Sequence, residues 1–377
     1  MREKLNSCDE IIISFEKGAK VEIIGSSENT YNILFKDKSS GRCIYSTSLK
    51  PMNWAAATKI YCVDWEIEVH GPGISKLYQL DLTGQNVYIQ FHSSSLGDNL
   101  GWIPYVELFK NKHNCNVYCK SFYNELFQDN YQGIEFVEEK PDNIFTSYNL
   151  GVFLGKNDSI NYNMHNTFPF SIPLQQIACD ILGLEYKEIK PRLSIPNVER
   201  EKLVLIGMQS TAQAKYWNFE NGWYTLVEYL KTRGFKVAFI DACKTFGTPA
   251  KYNTIPNNAL DWTGYIPLQI RIEQLARAAF FIGLGSGLSW LSWAVGTPTV
   301  LISGFSEPYT EMIDCLRIST PSGKCTGCFN KHIIERTNWM WCPEHKGTER
   351  QFECTTSITP QMIIDKLNKF IKNENLD

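Results

Sequence analysis

Four cysteines toward the end of the chain stand at Cys325-x2-Cys328-x13-Cys342-x11-Cys354. A tight Cys-x2-Cys knuckle offers two tetrahedral thiolate ligands to a metal ion, and two later thiols complete the shell. The segment carrying them is too polar to be core, so a metal staple accounts for it better than unrelated packing cysteines do. Thiolates suit zinc and iron alike. With all four ligands from protein the ion has no open position, which makes its role structural. His332 and His345 lie in the same loop as substitute ligands, although four thiols suffice.

Three further segments, each after an apolar strand pattern, offer catalytic or ligand-binding groups. In HSSSLGDNLGW, residues 92–102, Asp98 stands where a glycine-bearing loop meets a helix. A carboxylate at the carboxyl end of a strand can act as general base toward an acceptor hydroxyl, or simply as a helix N-cap. In GMQSTAQAKYW, residues 207–217, Ser210, Thr211 and Gln213 supply hydrogen-bonding groups and Lys215 a point charge suited to a phosphate. In FFIGLGSGLSWLSWAVG, residues 280–296, the Gly285-Ser286-Gly287 turn opens a helix whose amides and dipole suit a diphosphate. The turn is neither a G-x-G-x-x-G fingerprint nor a Walker loop, since no Lys-Ser or Lys-Thr follows the glycines. No Asp-x-Asp occurs in the chain, so the divalent-metal clamp of many sugar-nucleotide transferases is missing. Stabilising a leaving diphosphate then falls to Lys215 and the amides of Gly285, Ser286 and Gly287.

The elements that must hold these groups follow from the hydrophobic pattern. Residues 1–71 alternate short apolar runs with Gly, Asn, Asp and Lys, as a small all-β domain does. From 72 to 190 strands alternate with helical stretches, among them a helix over 102–112, and from 191 to 320 they do so again. Such alternation implies two Rossmann-like α/β domains with parallel sheets around a cleft, joined by a Pro-bearing, charged linker near 190–202. The metal finger occupies 321–358. A closing helix at 359–377 starts with Thr359 as N-cap and Pro360 in its first turn. The uncharged stretch 278–306 is broken by Gly283, Gly285, Gly287, Gly296 and Pro298 into pieces too short to span a membrane.

With 377 residues, 43% hydrophobic and a net charge of -3, the chain is a globular protein without the basic footprint of a nucleic-acid or anionic-membrane binder. Charges lead the N-terminus and only a four-residue apolar run follows, so no secretory signal is expected and the protein is placed in the cytosol. Of its 12 cysteines, most of the eight outside the finger are then expected to be reduced and packed in the core.

Asp98 in SLGDNLGWIPYVE, Lys215 in STAQAKYWN, the GLGSGLSWLSWA segment and the four-cysteine finger together resemble the bacterial autotransporter heptosyltransferases, in order and over nearly the whole chain. That family is in turn similar to the lipopolysaccharide heptosyltransferases, of GT-B fold. The resemblance implies transfer of heptose from ADP-heptose to serine hydroxyls of a surface adhesin, with Asp98 as base and inversion at the anomeric carbon. It also implies iron in the finger and assembly into a homo-oligomer, a dodecamer. Asp261, Thr263 and Gly264 resemble the donor-sugar loop of the lipopolysaccharide enzymes. Those enzymes carry Asp-Ser/Thr-Gly-x-x-His where this chain has Gly285 and Trp290, a departure that favours a protein acceptor. A glycan or lipopolysaccharide acceptor, or another nucleotide sugar, is the alternative; a silent scaffold that binds an adhesin without modifying it is a third reading.

Overall fold

The computed structural model describes residues 1–335 and 337–374. The expected finger, 321–358, includes residue 336, and the expected closing helix, 359–377, includes 375–377; these four lie outside the described residues. The chain divides into two compact units. One comprises Met1–Ser94, Trp102–Pro169 and Gln175–Lys187, and the other Ser95–Gly101, Phe170–Leu174 and the chain from Glu188 onward.

The first unit begins with two antiparallel four-stranded sheets. One runs in the order Arg2–Lys4, Asp9–Ser14, Lys20–Gly25, Asn53–Ala56, the other Arg42–Leu49, Tyr31–Asp37, Trp65–Gly71, Ile74–Gln79. Strict alternation sends Ile11, Ile13, Val21, Ile23, Ile33 and Phe35 into one core while their neighbours face outward. Strand Ile74–Gln79 pairs along its whole length with Trp65–Gly71, so the β portion extends past the expected boundary at 71. This strand has no fully buried residue, which is why its pattern carries no strand signal. A parallel sheet follows, in the order Ile134–Phe136, Asn116–Lys120, Asn86–Phe91, Thr146–Leu150.

The second unit is built on a six-stranded parallel sheet. Its order is Leu260–Asp261, Lys236–Phe239, Glu201–Gly207, Ala278–Gly283, Thr299–Ile302, Leu316–Ile318. The two central strands are buried on both faces and read as unbroken apolar runs, as a sheet covered by helices requires. Strand order reverses between them, because the chain builds outward from Glu201–Gly207 in one direction and then from Ala278–Gly283 in the other. At such a switch point the loops leaving the carboxyl ends diverge and open a crevice for a ligand. The 207–217 and Gly285 segments leave from these two ends.

The last helix, Pro360–Asn373, is capped by Thr359, whose hydroxyl accepts the Met362 N–H at 3.3 Å. Ile363, Leu367 and Ile371 lie fully buried in the core of the six-stranded sheet, and the Trp217 indole N–H donates to the Ile358 carbonyl at 2.7 Å. Of the eight cysteines outside the finger, only Cys115, Cys119 and Cys179 are buried, so core packing does not account for most of them: Cys62, Cys243 and Cys315 are half-buried, and Cys8 and Cys43 are exposed. The two exposed ones belong to the small β portion, where outward positions take any small residue. All 12 cysteines are free thiols. Because Leu367 fills the core of the sheet that carries the crevice, Leu367→Ala is expected to cost about 2–5 kcal/mol. Urea unfolding followed by fluorescence should show a lower midpoint at an unchanged slope.

Candidate active site

Every residue expected to act on the donor or acceptor falls in the second unit. Asp98 is among them, although the sequence reading places it in the acceptor-side domain, 72–190. Its helix, Leu96–His113, begins six residues before the expected start at 102, so Asp98 lies in the first turn, inside the helix, rather than at the N-cap. A carboxylate there faces the positive end of the helix dipole. What holds the turn in place is contact between two backbones. A Cβ on Gly287 would come within 2.9 Å of Leu96 Cβ and 3.4 Å of the Gly97 nitrogen, and a Cβ on Gly97 within 2.7 Å of the Trp290 ring. Only paired glycines allow this approach. Trp290 thus forms the floor on which the Asp98 turn rests.

Helix Gly287–Val295 starts at Ser286, whose side chain makes no capping bond. Among the described residues, the buried Ser286 hydroxyl has no hydrogen-bond partner, which leaves a donor at the start of a turn of the kind that suits an anion. Ser289, two residues into that helix, ties its hydroxyl to the Leu284 carbonyl at 2.5 Å and keeps the turn closed from behind.

The 209–215 loop follows strand Glu201–Gly207. Thr211 is exposed and Ser210 nearly buried. Gln213 is fully buried and spends its amide on Asn253 and Asn218, which makes it a brace of the loop. Lys215 ends a short 3-10 turn, half-buried, with its ammonium 6.0 Å from the centre of the Phe329 ring. Asp261 and Thr263 are held together by a 2.6 Å hydroxyl-to-carboxylate bond, and Lys244 lies 3.4 Å from the same carboxylate.

A residue that pattern reading overlooked links the two loops. Asp241, at the carboxyl end of KVAFID, is almost completely buried; its carboxylate accepts the Met208 and Gln209 amides at 3.0 and 2.9 Å, and its carbonyl accepts the Gly264 amide at 3.0 Å. Arg271 donates to the Gly264 carbonyl at 3.0 Å. The signal for Asp241 was an acidic residue ending an otherwise apolar strand. Burial pushes its carboxyl up to about 6, against the opposing pull of the two amides and Arg271.

The finger packs behind the Lys215 loop. Ala214, Phe305, Cys328, Trp341, Cys342 and Phe352 form one apolar cluster with Cys325 at its edge, and the Gln213 amide donates to the Trp339 carbonyl at 3.2 Å. The Cys325 and Cys328 thiols are hydrogen-bonded, and both act electrostatically on Cys354. Among the described residues, however, no three Cys, His, Asp or Glu side chains converge at metal-ligand spacing, so the four-thiolate site is gathered without being formed as a coordination shell. His332 is paired with Glu344 at 2.6 Å and is not turned to the thiols as a substitute ligand. The donor set still fits a cation. Burial raises the Cys328 and Cys354 thiols to about 12 and lifts Cys325 as well, and thiols crowded in such a place ionise only with a positive ion among them.

Comparison with known proteins gives the family. The model of glycosyltransferase family 9 (heptosyltransferase) matches residues 157–327. The autotransporter heptosyltransferase Aah of Escherichia coli is 36% identical over 96% of this chain and 94% of its own length. The crystal structure of the iron-containing dodecameric glycosyltransferase TibC from enterotoxigenic E. coli H10407 matches 99% of this chain and 98% of that one, with a TM-score of 0.89 and 34% identity. TibC is also known in complex with ADP-D-beta-D-heptose. A further relative, BimC of Burkholderia thailandensis, is named an inactive autotransporter heptosyltransferase and is 30% identical over 81% of this chain and 74% of its own length. The fold is thus the mixed α/β, GT-B-like fold of glycosyltransferases, and the chain is an enzyme of that class. It belongs to the autotransporter heptosyltransferase family.

Two outcomes follow from the geometry. Gly287→Ala drives a methyl group into Leu96 and should displace the Asp98 turn, cutting turnover by at least about 100-fold in a single-turnover assay while the melting temperature moves little. For Asp241, the folded carboxyl titrates above its unfolded value of 3.8, so the folded state holds the proton more tightly. Its stabilising contribution is complete below about pH 4 and declines as pH rises through about 6, by on the order of 3 kcal/mol. Urea midpoints between pH 4 and 7 should show that decline, and Asp241→Asn should flatten it.

Proposed function

We propose that the protein transfers heptose from ADP-heptose to serine hydroxyls of an autotransporter adhesin in the bacterial cytoplasm. The observation that carries the reading is the contact of the Asp98 turn with Gly287. It seats the turn that carries Asp98 against the start of helix Gly287–Val295, which supports the pairing of a base with a diphosphate site that a single displacement needs. Asp98 takes the proton from the acceptor hydroxyl as its oxygen attacks the anomeric carbon, and the bond to the diphosphate breaks on the opposite face, inverting the configuration. The developing charge on the leaving ADP is met by the Lys215 ammonium, the Ser286 hydroxyl and the amides of the 285–287 turn. No divalent ion takes part in this step. Ser210, Thr211 and Gln213 shape the loop that carries Lys215, and Asp261, Thr263 and Gly264 complete the donor side.

Cys325, Cys328, Cys342 and Cys354 would hold one structural metal ion, iron in view of the relative described as iron-containing, with zinc the alternative. The ion would fasten the finger and, through Trp339 and the Ala214 cluster, the Lys215 loop. The dodecameric state of TibC supports a homo-oligomer of the same size here.

A relative named inactive shows that this fold does not guarantee turnover, so the scaffold reading is tested directly. Purified protein incubated with ADP-heptose and an adhesin should add one heptose mass per modified serine by mass spectrometry. Asp98→Ala should abolish the addition while ADP binding persists. Adhesin that is bound but never modified by the wild-type protein favours the scaffold, and transfer to a glycan alone favours the alternative acceptor. Cys328→Ser should release the metal, measured by elemental analysis, and weaken ADP binding several-fold through the Lys215 loop; full ADP affinity in the metal-free variant would refute the link.

A further inference from the structure

Glu311 and Arg317 form a buried ion pair directly beneath the Gly285 turn. The Arg317 guanidinium is 2.6 Å from one carboxylate oxygen, Oε2, and the two side chains are only 12% and 8% exposed. The other oxygen, Oε1, accepts the Ser306 hydroxyl, which is itself bonded to Ser303 at 3.0 Å. A buried ion pair seldom stabilises a fold more than apolar side chains of the same volume would, so its presence beside a ligand turn calls for another explanation. The geometry of Gly285 supplies one. Its φ is not positive, so the backbone does not demand glycine. A Cβ there would lie 2.6 Å from Glu311 Oε1 and 3.9 Å from the Ser306 hydroxyl. Glycine is required because a carboxylate already occupies the space that a side chain at 285 would enter.

We propose that Glu311, reaching in from the segment after strand Thr299–Ile302, supplies the donor site with a carboxylate beside the Gly285 turn, and that it accepts hydrogen bonds from hydroxyl groups of the sugar attached to the diphosphate. This inference rests on the donor reading above. The charge argument identifies the ligand part it meets. Beside amides that bind an anion, a bare carboxylate would repel the diphosphate, but Arg317 behind it neutralises the pair. A carboxylate accepts about four hydrogen bonds, and Ser306 and Arg317 provide two. What remains is acceptor capacity next to a half-exposed glycine, suited to neutral O–H donors and unsuited to phosphate oxygens. Ser306 and Arg317 fix the carboxylate in advance, so it need not reorganise when the sugar arrives.

The test compares ADP-heptose with ADP, by calorimetry on the full-length, metal-loaded protein. Glu311→Gln keeps the shape but loses the charge and half the acceptor capacity. It is expected to weaken ADP-heptose binding about tenfold or more, while ADP affinity stays within about twofold. Equal losses for both ligands, as a purely structural or ribose-binding role would give, or no loss for ADP-heptose, would overturn the assignment. If Glu311→Gln melts early, the relocated carboxylate decides: Gly285→Asp should lose sugar-dependent affinity through its clash, and adding Glu311→Ala to it should restore that affinity. Failure of the pair to recover ADP-heptose binding when ADP still binds would also refute the role. Wild-type protein that binds ADP but not ADP-heptose would instead refute the proposed donor, a separate result.

Discussion

The active region depends on one close approach, the seating of the Asp98 turn on helix Gly287–Val295. Leu96 and Gly97 meet Gly287 and Trp290 at distances that no Cβ on either glycine could tolerate. The gain is positional. A general base contributes only within hydrogen-bond reach of its proton, and an error of about 1 Å costs orders of magnitude in rate. In the proposed reaction, seating the turn that carries Asp98 against helix Gly287–Val295 would tie the base and the amides that meet the leaving group to one rigid element. The buried Trp290 indole is the packing surface on which Gly97 rests.

Around that contact, buried polar groups brace the loops. Asp241 holds the amides of Met208 and Gln209 on one side and Gly264 on the other, so both donor loops answer to one strand end. Gln213 is locked among asparagines, which leaves Lys215 as the charged group of its loop directed by its surroundings. Behind that loop the cysteine-bearing segment provides Trp339, Trp341 and Phe352 as a backing. A structural metal there would act on catalysis at a distance, by stiffening what carries the lysine. Glu311 and Arg317 complete the arrangement beneath the glycine turn.

Much of this was legible in the residue pattern. Parallel strands with unbroken apolar runs, the glycine turn before Trp290, the capped last helix and the clustered cysteines all announce themselves locally, because each depends on short-range periodicity, backbone freedom or ligand spacing. The strands and helices around 203–208, 223–231 and 288–295 appear where expected. The departures share a cause. Strand Ile74–Gln79 turns only Ile74 and Tyr78 partly into the core, with Lys76 between them, and the helix at Leu96 begins in a polar, glycine-bearing stretch, so neither offers the strong periodicity that pattern reading needs. Cys8 and Cys43 are small residues on outward-facing positions, which composition cannot tell from core.

From sequence alone come two α/β parts and an acidic residue, a lysine, a glycine turn and four thiols in a set order, since those are properties of types and spacings; the glycosyltransferase reading came from the family that this order resembles. Tertiary structure decided which of them meet. It brought Asp98 into the same compact unit as the Gly285 turn, turned Gln213 inward, and placed Glu311 against a glycine 26 positions earlier in the chain. The physical reason is that parallel strands set the carboxyl ends of distant segments side by side. Contacts between the loops that leave them are set by the order of strands in the sheet, which no local pattern records.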